Sequence, residues 1–253
     1  MKWYFKIILV LLVGVFFFSC YRLVLIYSEY KEGNEEYQNL DQYTEKEPTK
    51  PEETSYTKRD EIETGEQTLT IDFEELKQKN PDIIGWIYIP LLEISYPVVK
   101  CDNNEYYLNR TFEKNSNSCG CIFADCQNNS DFSDYNTFVY GHNMKNGSMF
   151  GSLKRLLREE DLYHEDPYFY IYTEDFVYQY IIYSCYVTEP DSQSYRFTNT
   201  KEEYQKYLTE VIEKSSVKCN TIENKNESTV TLSTCYGSGE QKKRLLIHGI
   251  VKK

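Results

Sequence analysis

Three side chains in this chain have types and spacings suited to covalent catalysis: Cys235, Arg244 and His142. Cys235 closes the run Thr229–Cys235, and Gly237, Ser238 and Gly239 then break it. Side chains alternate along an extended run, so Thr231, Ser233 and Cys235 share one face while Val230, Leu232 and Thr234 share the other. A Cys at a strand end beside a glycine loop is open to the backbone of a substrate. Arg244 begins the next apolar run, eight intervening residues later. If the two runs pair antiparallel, Arg244 faces Cys235 across the loop mouth and a guanidinium stands beside a thiol. A thiolate is a strong nucleophile, and a planar fork of donors suits a carbonyl oxygen that gathers charge.

A proton carrier must come from only three His. His142 follows the apolar run Thr137–Tyr140, at a strand-to-loop exit where catalytic groups tend to sit. His164 lies among Arg158, Glu159, Glu160, Asp161, Glu165 and Asp166, which reads as a solvated face. His248 lies four residues past Arg244, about 13 Å along a strand at about 3.3 Å per residue, and reads as structural.

The elements that would position these residues are mostly strands. Tyr occurs 25 times and Phe 13 times, and both favour strands over helices. The spacing predicts strands over Ile83–Ile89, Ile94–Val99, Cys121–Ala124, Thr137–Tyr140, Tyr168–Tyr172, Phe176–Val187, Thr229–Cys235 and Arg244–Val251. Eight short strands separated by turn residues suggest a closed barrel or a sandwich. Helical spacing appears at Ile71–Leu76, stopped near Asn80-Pro81, at Met149–Arg158 and at Glu202–Lys214.

The chain divides into three parts. Trp3–Tyr27 is apolar apart from Lys6 and Arg22, and is long enough to cross a hydrocarbon core of about 30 Å. Lys2 and Lys6 favour a cytoplasmic N-terminus, so residues 1–27 read as a transmembrane signal-anchor. A cleaved signal peptide, a lipoprotein site at Phe17-Phe18-Ser19-Cys20 and a buried core helix are the alternatives. Residues 28–68 carry thirteen acids against five bases and few aliphatics, which reads as an acidic extracellular linker, helical near Glu29–Leu40. Residues 69–253 read as the catalytic domain. The formal charge of -12 argues against a nucleic-acid partner. Cys119, Cys121 and Cys126 form C-x-C-x4-C, which is not a usual zinc spacing, so free thiols or a disulfide are expected and no metal or cofactor. Buried packing is the default for Cys101, Cys185 and Cys219.

Several strings carry a family resemblance. Thr231-Leu232-Ser233-Thr234-Cys235 resembles the TLxTC signature of sortases, the transpeptidases that attach proteins to Gram-positive cell walls. Tyr140-Gly141-His142-Asn143-Met144 resembles the segment around the family's His, and Arg244-Leu245-Leu246-Ile247 its Arg-bearing last strand. Asn80–Ile87, Ile94–Val99, Tyr107-Leu108 and the helix near 202–214 are similar to the class B branch. The start Cys119-Gly120-Cys121 departs from the small residues usual there.

The resemblance covers about residues 70–253. It implies a mainly β fold, a closed eight-stranded sortase-type β-barrel with added N-terminal and inter-strand helices. It implies a thioester on Cys235 formed at the Thr of a C-terminal sorting signal, with His142 and Arg244 assisting. The implied partners are secreted surface proteins bearing such a signal, and an amine of a peptidoglycan precursor or of a pilin as acceptor. NP-type signals, haem-uptake proteins and pili are among the substrates of class B relatives. The implied place is the cell membrane, with the catalytic domain outside. Asn104, Leu108, Tyr140, Tyr195 and Ser233 match positions lining the class B groove. Residue types alone leave two rivals open: a cysteine peptidase, in which water resolves the acyl-enzyme, and an inert binding module, which needs none of Cys235, His142 and Arg244.

Overall fold

Eight of the strands close on themselves. The structure, a computed structural model, describes residues 3–47, 56–58, 68–159, 162–219, 222, 224–237 and 243–252. In chain order the strands are β1 (Thr44–Glu47), β2 (Tyr56–Lys58), β3 (Thr68–Ile71), β4 (Ile83–Ile89), β5 (Ile94–Val99), β6 (Ile122–Ala124), β7 (Asn136–Tyr140), β8 (Tyr168–Tyr172), β9 (Phe176–Thr188), β10 (Thr229–Tyr236) and β11 (Lys243–Val251). Hydrogen bonding runs β11-β10-β7-β6-β5-β4-β8-β9, and the β9–β11 pairing completes the ring. The pairs β7–β10 and β5–β6 are parallel and the other ring pairs antiparallel, so this is a mixed barrel. Closure removes the free edges that an open sheet would expose. β2 pairs with β9 as a ninth strand, and β1 with β3 forms a separate ribbon.

Alternation sorts the side chains into two layers. Ile87, Val98, Ile122, Val139, Ile171, Leu232, Leu245 and Ile247 belong to the main core. On the opposite face of β9 and β11, Tyr183, Tyr186, Leu246 and Ile250 meet Tyr204, Tyr207, Leu208 and Val211 of the helix Lys201–Glu213. That helix follows α1 (Trp3–Leu40), α2 (Phe73–Lys79) and α3 (Leu162–Glu165), and is α4. Thr200 and Glu203 cap it reciprocally, which satisfies otherwise orphaned N–H groups.

Two expectations need correction. The segment after Met149 is a 3-10 helix over Gly151–Leu157 rather than an α-helix. Phe150, Leu153 and Leu156 are all buried, and their three-residue repeat matches the 3-10 turn. The segment is also short, because Phe150 N is tied back to His142 O at 2.9 Å and Met149 sits at φ 55°.

Residues 29–40, read as part of a solvated linker, continue α1 and dock on the body, with Gly33, Tyr37 and Leu40 buried. Polar groups on the body hold this stretch, together with the burial of Tyr37 and Leu40 in the main core. The linker residues 48–55 and 59–67 lie outside the described residues. Earlier in α1 the apolar residues are exposed, and this segment is long and apolar enough to cross a membrane.

Candidate active site

β10 is flanked by β7, parallel, and β11, antiparallel. The antiparallel register sets Cys235 directly opposite Arg244, Ser233 opposite Leu246 and Thr231 opposite His248. Directly opposed residues share a face, so Cys235 and Arg244 project to the side covered further down by α4. Both are partly exposed where that cover ends. Among the described residues Arg244 forms no ion pair, and its guanidinium makes one hydrogen bond, Nη1 to Lys243 O at 3.3 Å. The fork therefore keeps donors for a substrate. Residues 238–242, Glu240 among them, lie outside the described residues.

The parallel pairing brings His142 toward this strand end. Ser233 lies opposite Tyr140, and the ladder runs on as Gly141 N donates to Ser233 O at 3.1 Å. Thr234 Oγ1 then donates to Gly141 O at 2.7 Å, and Asn143 Nδ2 to Cys235 O at 2.8 Å. Bonds on both sides of His142 thus tie its loop to the last residues of β10. The ring is fixed by another segment: Nε2 lies 2.7 Å from Leu108 O. A carbonyl only accepts, so Nε2 carries hydrogen, and Nδ1 is the nitrogen left to exchange a proton. No hydrogen bond joins the Cys235 thiol to His142 among the described residues; the link runs through the next residue, Asn143, to Cys235 O.

The groove candidates form one connected wall. Tyr195, on a 3-10 turn over Gln193–Tyr195, shares a 2.7 Å hydrogen bond between its hydroxyl and Ser233 Oγ. Its ring stacks on Tyr140 with centroids 6.4 Å apart. Burial is the main cause that pushes the Tyr195 phenol up. A Cys235 thiolate adds to the rise, while Ser233 and the Arg244 cation oppose it. Tyr195 is thus within electrostatic reach of both residues. Tyr140 donates to Asp125 Oδ2 at 2.8 Å, and its phenol is raised by burial and then by that carboxylate. Asn104 Nδ2 donates to the same oxygen at 2.9 Å, while Asn104 Oδ1 accepts from Cys126 N at 2.8 Å. Leu108 is exposed, at 37%, which suits an apolar contact for a bound chain rather than a core residue.

The sequence reading missed Asp125, which is buried and orients both Asn104 and Tyr140. An acid directly after the apolar triad of β6 was the available signal. His248 is buried away from the site. Thr231 Oγ1 lies 2.9 Å from its Nδ1 and Tyr186 OH 3.2 Å from its Nε2. His164 lies on α3, a separate element. All eight cysteines are free thiols, and burial pushes Cys119 and Cys185 up to about 12.

Comparison with known proteins gives the family and the fold. Residues 87–251 match the family profile described as the sortase domain. The chain is 31% identical over 229 residues to sortase B of Listeria monocytogenes, covering 89% of this chain and 91% of that protein. It is 28% identical over 250 residues to sortase B of Staphylococcus aureus, covering 98% and 96% respectively. The crystal structure of sortase B from Bacillus anthracis in complex with AAEK1 superimposes with a TM-score of 0.71 at 29% identity, over 90% of this chain and 100% of that one.

Proposed function

This chain belongs to the sortase family of cysteine transpeptidases, on its class B branch, and on that premise we propose a specific reaction for it. It cleaves the C-terminal sorting signal of a secreted surface protein after a Thr and transfers the protein to an amine of a cell-wall precursor or of a pilus subunit. The observation that carries this reading is the register of β10, which sets Cys235 opposite Arg244 with the His142 loop tied to the same strand end.

The Cys235 thiolate bonds to the Thr carbonyl carbon, and the carbonyl oxygen gathers the charge. Arg244 donates to that oxygen, and a donor there lowers the barrier only as charge develops. The C–N bond then breaks, and His142 as imidazolium gives its Nδ1 proton to the leaving nitrogen. An incoming amine attacks the thioester, gives a proton to His142 and expels the Cys235 thiolate. Leu108 O holds the ring through Nε2 throughout, so one nitrogen orients and the other transfers. Tyr195, Ser233, Tyr140, Asn104 and Leu108 line the path of the signal, and Asp125 sets two of them. Residues 1–27 serve as a single-pass anchor with the N-terminus in the cytoplasm and the catalytic domain outside.

A peptide-library cleavage screen with intact-protein mass analysis tests the proposal. The expected result is an acyl adduct on Cys235 that hydroxylamine discharges to a hydroxamate. An adduct on another cysteine, or cleavage that survives Cys235→Ala, would overturn it.

A further inference from the structure

We infer that Tyr37, on the docked half of α1, is a positioning residue for His142, acting through Gly120 and Leu108. The inference rests on the reading of His142 as the proton-transfer residue. α1 runs unbroken from Trp3 to Leu40, so the apolar segment and the docked segment are one element. The docked half is fastened by its polar groups. Glu29 O accepts from Asn117 Nδ2 and Glu29 Oε1 from Ser118 N, both at 2.8 Å. Glu36 accepts from Thr111 Oγ1 at 2.8 Å, Glu113 N at 2.9 Å and Asn115 Nδ2 at 3.1 Å. These bonds clamp the 111–118 segment to the helix.

Tyr37 is 8% exposed, and its hydroxyl donates to Gly120 O at 2.6 Å. Burial, then the neighbouring Cys121 and Cys119 thiols, raise the phenol well above its ordinary value, so it stays a protonated donor. Gly120 sits at φ +60°, a conformation that favours glycine. A Cβ there would lie 2.7 Å from Tyr107 O, 2.8 Å from Leu108 O and 3.0 Å from His142 Cδ2. Gly120 therefore lies against both the imidazole and the carbonyl that holds it, and Cys121 N to Tyr107 O at 3.0 Å ties the two backbones together. A displacement of Gly120 has no slack to absorb it and passes to both partners of the His142–Leu108 bond. Tyr37 lies ten residues beyond Tyr27, about 15 Å of helix, so the anchoring element itself supports the site.

The test uses the full chain in lipid nanodiscs with 15N-labelled histidine. Only three His are present, and His142→Gln assigns the His142 resonances. Tyr37→Phe should move the His142 Nε2 shift and leave those of His164 and His248 in place. Turnover of the library-selected peptide with hydroxylamine should fall about tenfold in kcat with KM little changed, the scale of one lost hydrogen bond. Glu36→Gln weakens the docking of the same helix without touching Gly120. It should lower Tm and leave the His142 resonance and kcat unchanged. An unmoved His142 resonance and kcat in Tyr37→Phe would overturn the inference, as would equal changes in both variants. Should His142→Gln itself turn over normally, the proposed mechanism fails, while the resonance still reports whether Tyr37 sets the ring.

Discussion

Arg244→Lys separates a carbonyl-holding guanidinium from a positive charge that merely stabilises the barrel. In the folded chain the Arg244 head group makes no ion pair among the described residues and one hydrogen bond of 3.3 Å to its neighbour's carbonyl. The described residues therefore give it little hold on stability, and a partly exposed substitution of this kind is expected to change stability by about 0.5 kcal/mol or less. The same isolation leaves the donors free for the substrate, opposite the nucleophile. Lysine keeps the charge but presents a compact ammonium rather than a planar fork. Losing one oxyanion donor costs about 10²–10³-fold, or about 3–4 kcal/mol. The expected result is a loss of that order in kcat/KM for Arg244→Lys, at least as large for Arg244→Ala, with Tm within a degree or two of the parent. Peptide cleavage kinetics and thermal melts on the same preparations supply both numbers. Near-normal kinetics in Arg244→Lys, or an activity loss that tracks a large fall in Tm, would refute the assigned role.

Cys235→Ala should abolish acyl-enzyme formation and leave the melt intact, since the thiol sits at a strand end outside the core; residual turnover would count against the mechanism. His248 is held down to about 3, first by burial and then by the Lys214 cation, against an ordinary 6.5. Below pH 6.5 the unfolded chain takes up a proton that the folded chain refuses, so stability falls between pH 6.5 and about 3, by on the order of 2 kcal/mol at pH 5. His248→Gln should flatten that slope in urea titrations at pH 7 and pH 5. Removing residues 1–27 should give a soluble, active protein, whereas removing 1–40 strips Tyr37 and Leu40 from the body. At roughly 2–3 kcal/mol for each large buried side chain, the shorter form should melt well below the longer one, and equal melts would mean the docked helix contributes nothing.

Much of the barrel was legible because strand identity is a local property. The runs Ile83–Ile89, Ile94–Val99 and Tyr168–Tyr172 coincide with β4, β5 and β8, since apolar patterning and turn residues mark both ends. The Cys235–Arg244 pairing was legible for a related reason: the two runs are consecutive, and one short loop sets the register between them. Nothing local, by contrast, specifies contacts between distant segments. The Tyr37–Gly120 bond spans 83 positions and the His142–Leu108 bond 34. Asp125 gained its role only when the fold carried Asn104 and Tyr140 to one carboxylate. The docked half of α1 was read as a solvated linker because Glu29 and Glu36 look like hydrated surface until their partners on 111–118 are in place. By itself the sequence marked the candidate residues for the chemistry and the runs that become strands, through side-chain type and short-range periodicity. The tertiary structure decided which carbonyl bonds the imidazole, which acid joins Asn104 to Tyr140 and which helix residue reaches Gly120, because those partners are chosen by packing across the closed barrel.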